Sequence, residues 1–110
     1  MSSDTFIAYV GLRFEVRADE IEGIELRSDA RIAVARRLGL NYYFGNFGGL
    51  QERYLLFIGL QIGVLGIGNS KEMRFSLPDL QISFDSTAAK LKDAGFAETP
   101  ELHITWQPDT

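Results

Sequence analysis

Residues 5 to 16 alternate with period two: Phe6, Ala8, Val10, Leu12, Phe14 and Val16 fall on one side of an extended chain, and Ile7, Tyr9, Gly11, Arg13 and Glu15 on the other. This is the pattern of a half-buried strand, with the even side as core and the odd side mixed and wet at its far end. The alternation returns after Pro100, where Leu102, Ile104 and Trp106 oppose Glu101, His103, Thr105 and Gln107 before Pro108 closes the segment. There the even side is again expected inward, with His103, Glu101 and Thr105 on the less buried face.

The run from Tyr54 to Gly68 differs because both of its parities are apolar. Leu55, Phe57 and Leu65 lie on one, and Tyr54, Leu56, Ile58, Ile62 and Val64 on the other. Gly59, Gly63, Gly66 and Gly68 interrupt it, and each costs about 0.8 to 1.0 kcal/mol against Ala inside a helix, so the run is read as strand. Strands usually span about 3 to 10 residues, which predicts two of them, over 53–59 and 62–67, with a bend or reversal between Gly59 and Gly63. A membrane span needs about 20 apolar residues. This run is bounded by Glu52 and Arg53 on one side and by Asn69, Ser70 and Lys71 on the other, so its GxxxG spacing carries no helix-dimer meaning.

Helical signals fill the gaps. The acidic stretch Asp19 to Leu26 predicts a short helix or turn. A better helix starts with Ser28 as N-cap and Asp29 in its first turn, and ends at Gly39 and Leu40. Asn41 to Gly49 reads as an aromatic strand entering a glycine-rich turn, and Glu72 to Phe75 as a brief strand. Ser76, Pro78 and Asp79 open a second helix whose buried stripe is Leu80, Phe84, Ala88 and Leu91, with Gly95 and Phe96 at its end. The resulting order is β-α-β-β-(β)-α-β. It predicts one α+β domain over 1–110, an antiparallel sheet with two main helices packed on one face, ferredoxin-like in arrangement. A separate meander after residue 41 is the alternative.

Composition narrows the chemistry. With no cysteine in 110 residues, disulfides, zinc ribbons and thiol nucleophiles are excluded. The net charge of −4 weighs against a phosphate-tracking surface, and the start of the chain lacks the regions of a signal peptide. The expectation is a cytoplasmic protein that binds neither membrane nor nucleic acid. Gly63 to Ser70 resembles a phosphate loop by eye, but Asn69 stands where the loop needs Lys and no helix signal follows. The carboxylates Asp19, Glu20, Glu22, Glu25 and Asp29 lack the spacing of a calcium loop, and Arg27, Arg31, Arg36 and Arg37 read as helix surface. His103, the one histidine, has only strand neighbours for partners, so no catalytic residue, metal ligand or cofactor is assigned. Tyr42, Tyr43, Phe44 and Phe47 lack the accompanying motif of an RNA-binding sheet.

What remains is the double-sided apolarity of 54–65, which two helices on one face cannot cover. The leading expectation is a non-enzymatic domain that forms a homodimer or binds a protein partner through its sheet, with Ile7, Tyr9 and Tyr54 at the interface. The second is a small-molecule-binding protein or enzyme whose pocket lies between the sheet and 42–47, lined by Tyr42, Tyr43, Phe47 and His103, with the arginines adding polar groups. A third, a small acidic inhibitor masking a basic partner, rests on charge alone.

Overall fold

The computed structural model describes residues 4–66 and 68–108. Along them run β1 (Thr5–Val16), a 3₁₀ turn (Ala18–Glu20) leading into α1 (Ile21–Glu25), α2 (Ala30–Arg37), β2 (Asn41–Asn46), a second 3₁₀ turn (Gly49–Gln51), β3 (Tyr54–Gly66), α3 (Leu77–Asp93) and β4 (Glu101–Gln107). The strands form one antiparallel sheet in the order β2-β3-β1-β4, so β1 and β2 run parallel with β3 between them. The class is α+β, and the even side of the sheet meets the helices: Leu12, Leu56 and Ile58 pack with Ile24, Ile32, Ala35 and Leu91.

Local chemistry sets the helix ends. Ser76 caps α3 by accepting from the Asp79 N–H at 3.2 Å, with Pro78 in the first turn, where a missing N–H loses no bond. Both longer helices close on a glycine followed by an apolar residue. The Leu40 N–H reaches Ala35 O at 2.9 Å and the Phe96 N–H reaches Leu91 O at 3.2 Å, each a Schellman closure. The cap of α2 is Asp29 rather than Ser28. Its carboxylate accepts from the Arg31 N–H at 2.8 Å, while the Ser28 hydroxyl is spent on the Gly23 carbonyl at 3.2 Å.

Three further expectations are corrected. Residues 54 to 66 form one strand, not two, because Gly59 bends the chain without reversing it. No strand forms over 72–75. Phe84 is only half-buried, so the sealed part of the α3 stripe is Thr87 and Leu91. In addition, β1 and β3 slip register between Ala8, opposite Gly63, and Tyr9, opposite Gln61. Ile62 is thereby the extra residue of a bulge, and parity inverts beyond it: Val64 joins Ile7 on the odd side and Leu65 joins Phe6 on the even side.

The odd side needs no second chain to cover it. Gly11 and Gly59 face each other across β1 and β3, at φ 148° and 153°, a region open essentially to glycine alone. A Cβ on Gly11 would sit 2.1 Å from Ile58 O, and one on Gly59 2.0 Å from Val10 O. The two glycines form a crease across β1 and β3, at the level where β2 and β4 begin with Asn41 and Glu101 as the glycines' outer neighbours. On one side β2 pairs with β3 over Tyr54–Gly59; on the other β4 pairs with β1 over Thr5–Gly11.

The two halves fold toward each other about the crease, with the odd side inside. Tyr9 and Arg13, the residue opposite Phe57, would be about 13 Å apart along a straight strand. Yet the Tyr9 ring stacks on Phe57 at 5.5 Å and 7°. Tyr43 on one edge strand donates to Gln107 Oε1 on the other at 2.6 Å, where a flat sheet, with three strand spacings between them and an eight-residue offset along β1, would hold them about 30 Å apart. Gly45 leaves the room this requires, since a Cβ there would lie 2.7 Å from Gln107 Nε2. Ile7, Tyr9, Phe47, Leu55 and Phe57 form the resulting second core.

Replacing either crease glycine should therefore be severe. Gly11→Ala and Gly59→Ala are each expected to lose about 3 kcal/mol or more in urea unfolding, from the forbidden φ combined with a backbone clash. Gly39→Ala, at φ 72° with nothing within 4 Å, should lose only about 1 to 2 kcal/mol. Equal losses at the three positions would show that the crease does not depend on glycine.

Candidate functional site

Three of the four residues expected to line a pocket come together. Phe57 lies at the centre, with Phe47 edge-on at 5.5 Å and His103 edge-on at 5.8 Å, and Tyr43 meets Phe47 at 6.1 Å. Tyr42 is on the opposite side of the sheet, against the helix-side core. These rings fill the concave side with their own volume, and Phe57 is fully buried. The Tyr9 hydroxyl is held by Gln61 Oε1 at 3.2 Å. Burial, reinforced by the neighbouring Tyr43, pushes its pKa above the ordinary tyrosine value, so it stays a neutral phenol.

The expected interface residues are corrected by the same packing. Ile7 is 3% exposed and Tyr9 1%, so neither offers surface to another chain. Tyr54 is half-buried and stacks on Phe44 at 5.5 Å. The physical reason is the crease, which brings the apolar odd side against itself.

His103 sits at the rim of this aromatic core. Burial holds its imidazole below the ordinary value of 6.5, helped by the charge of Arg13 and opposed by a hydrogen bond to the Gly11 backbone and by Glu101. Among the described residues, no group of three or more His, Asp or Glu side chains is placed to hold a metal ion.

Several of the charged residues are paired within the chain. Arg31 bridges Asp29 and Glu20, both at 2.9 Å, with its guanidinium 4.9 Å above the Phe14 ring. The hydrogen bond from Arg31 holds the Asp29 carboxyl below the usual carboxylate range. Arg53 meets Glu15 at 2.6 Å beside a cavity of about 280 Å³, so opposite charges meet at its wall. Behind the glycines that resemble a phosphate loop, the Gly66 N–H bonds to Ser70 O at 3.0 Å, and no helix begins before Leu77.

One surface stands out, and its alternation is the reverse of that expected. On β4 the apolar side faces out: Leu102 is 46% exposed, Ile104 61% and Trp106 49%. Meanwhile His103, Thr105 and Gln107 are half-buried toward the concave side. Across β1 the exposed residues continue into Phe6, opposite Trp106 and 45% exposed. α3 packs mainly against β1 and β3, leaving the outer strand largely exposed. Between its first turns and β4 lie two shallow cavities of about 290 and 240 Å³ that share Leu80 and Leu102. The second is lined by apolar residues throughout, Met73, Phe75 and Ile104 among them.

Apart from Gln107, which is held by Tyr43 and the Asn46 carbonyl of β2, the edge itself is unguarded. β4 ends the strand order, and its register with β1 is unbroken over seven residues. It carries neither the lysine nor the internal proline with which sheet edges are commonly blunted. Period two marked these residues as one face. It carried no signal of which face the helices would reach.

No family model, curated protein or solved structure matches this chain. No helix among the described residues is long and apolar enough to cross a membrane. Fold and surface together define a creased α+β domain with two internal cores and one bare apolar strand.

The histidine offers a direct test of the concave core. Its depressed pKa means that the stability it contributes is complete above 6.5 and is lost as pH falls from there through the folded value. The single imidazole should titrate below 6.5 by NMR, and His103→Gln should flatten the loss of stability on mild acidification. A midpoint at or above 6.5 contradicts the packing of His103 against Phe57.

Proposed function

We propose that this chain is a small non-enzymatic interaction domain that self-associates through the outward face of β4. The observation that supports it is the reversed alternation, with Leu102, Ile104 and Trp106 in water at an open sheet edge beside Phe6. Burying apolar area is worth about 25 cal/mol per Å², and contiguous exposed apolar patches on soluble proteins mark contact sites. The alternation of a buried strand is thus satisfied by a second molecule in place of a helix. A pocket between the sheet and 42–47 has less support, because Phe47 and His103 pack directly on Phe57 there. The layout is read as a ferredoxin-like variant, creased at its glycines, in which α3 sits over β1 and β3 and leaves β4 uncovered.

Sedimentation across the micromolar range tests this. The native chain should show a dimer that dissociates on dilution. Ile104→Glu and Trp106→Glu should stay folded, since both sites are exposed, and should weaken association by about a hundredfold or more, because an unpaired carboxylate resists desolvation by several kcal/mol. A native chain that is monomeric throughout would overturn self-association.

A further inference from the structure

We infer that the groove between α3 and β4 binds the hydrocarbon chain of a small aliphatic carboxylate, with the carboxylate at Arg74. This goes beyond the self-association reading and does not depend on it.

The groove has a structural origin. α3 packs mainly against β1 and β3, so its first turns stand off from β4 and the two cavities open between them. Val10 lines the first and Ala8 the second. Ala8 has the shortest side chain among its even-side neighbours Phe6, Val10 and Leu12, which leaves room above the sheet at that level. The far wall is the segment before α3. Met73 and Phe75 line the second cavity, and Met73 is seated at Gly63, where a Cβ would come 2.5 Å from its Sδ. An unbranched thioether in such a wall adapts to what it touches.

Shape selects the occupant. Small-molecule pockets hold about 300 to 1,000 Å³. Neither cavity reaches that range alone, at about 290 and 240 Å³, but joined through Leu80 and Leu102 they do. A ligand that uses the site therefore runs through both, past two leucines, which suits an unbranched chain. Gln81 is the one polar residue lining either cavity. The chain is accordingly hydrocarbon, because removal from water drives its binding and a polar group along its length would be left without a partner.

Charge selects the end group. Arg74 stands between the lining residues Met73 and Phe75, so its backbone lies at the rim of the second cavity. It is exposed and makes no ion pair among the described residues. Lys71 is likewise exposed and unpaired, and Glu72 is the one carboxylate between them. A carboxylate matches the guanidinium fork with two parallel hydrogen bonds, whereas an ammonium would meet like charge.

Titration calorimetry with decanoate and decanol, read beside amide NMR shifts, tests this. Decanoate should bind one per chain, with shifts centred on Met73, Leu80, Leu102 and Ile104. Arg74→Glu, at an exposed site, should weaken decanoate at least about fivefold and leave decanol unchanged. Leu80→Trp, which fills the waist between the cavities, should weaken both ligands by about tenfold or more; if that variant does not fold, Arg74→Glu still decides. No decanoate binding up to millimolar concentration, shifts centred elsewhere, or decanoate affinity indifferent to Arg74→Glu would each overturn the assignment. So would a chain that ignores free decanoate and sediments with phosphatidylcholine vesicles, which would point to a lipid surface. A monomeric chain that binds decanoate overturns self-association only, and a dimer that does not bind it overturns this site only.

Discussion

The contact between Gly11 and Gly59 is the constraint on which the rest of this fold depends. Two long strands, β1 and β3, run side by side for most of their length. Untouched, they would make a flat ribbon with an apolar side exposed to water. Paired glycines at φ near 150° let both backbones turn at the same level, where any side chain would meet a carbonyl of the opposite strand. Such a conformation costs of order 1 to 3 kcal/mol and persists only where the surroundings over-determine it.

Those surroundings are the aromatic rings that the turn brings together. Tyr9 stacks on Phe57, Phe47 and His103 meet it edge-on, and Tyr43 closes the arch by its bond to Gln107. Offset and edge-to-face contacts of this kind each add about 0.5 to 1.5 kcal/mol beyond area burial, enough together to offset the backbone. The crease thus gives one sheet two cores, helices outside and rings inside. It also decides the fate of β4. The strand's polar side, with His103, Thr105 and Gln107, is drawn toward the concave core, so its apolar side must face out. With α3 lying mainly over β1 and β3, Leu102, Ile104 and Trp106 remain about half exposed.

Much of this was legible locally. The period of residues 5 to 16 and 101 to 107, the Ser76 cap and the two glycine closures depend on contacts within a few residues of each other. β1, β4 and the longer helices accordingly fall where those patterns placed them. Convergence of Tyr43, Phe47 and His103 was also anticipated, though Tyr42 was not separable from Tyr43 until strand parity was tied to a face. Less legible were Gly59, which signals equally a reversal or a bend, and Ile62, whose bulge inverts the parity of everything after it. Ser28 and Asp29 are both competent caps; the choice fell to Asp29 once Ser28 bonded back to Gly23.

By itself, then, the sequence determined the class of the domain, the positions of its first and last strands and longer helices, and the fact that the central strand had to be covered on both sides. It did so because propensity, capping and alternation act over short separations along the chain. What covers each side was decided only by tertiary structure. A period-two pattern states that two faces differ and is silent on which one a helix or a ring will meet. Ile7 and Tyr9 are sealed, and Leu102, Ile104 and Trp106 are left in water, because two glycines 48 residues apart in the chain face each other across the sheet.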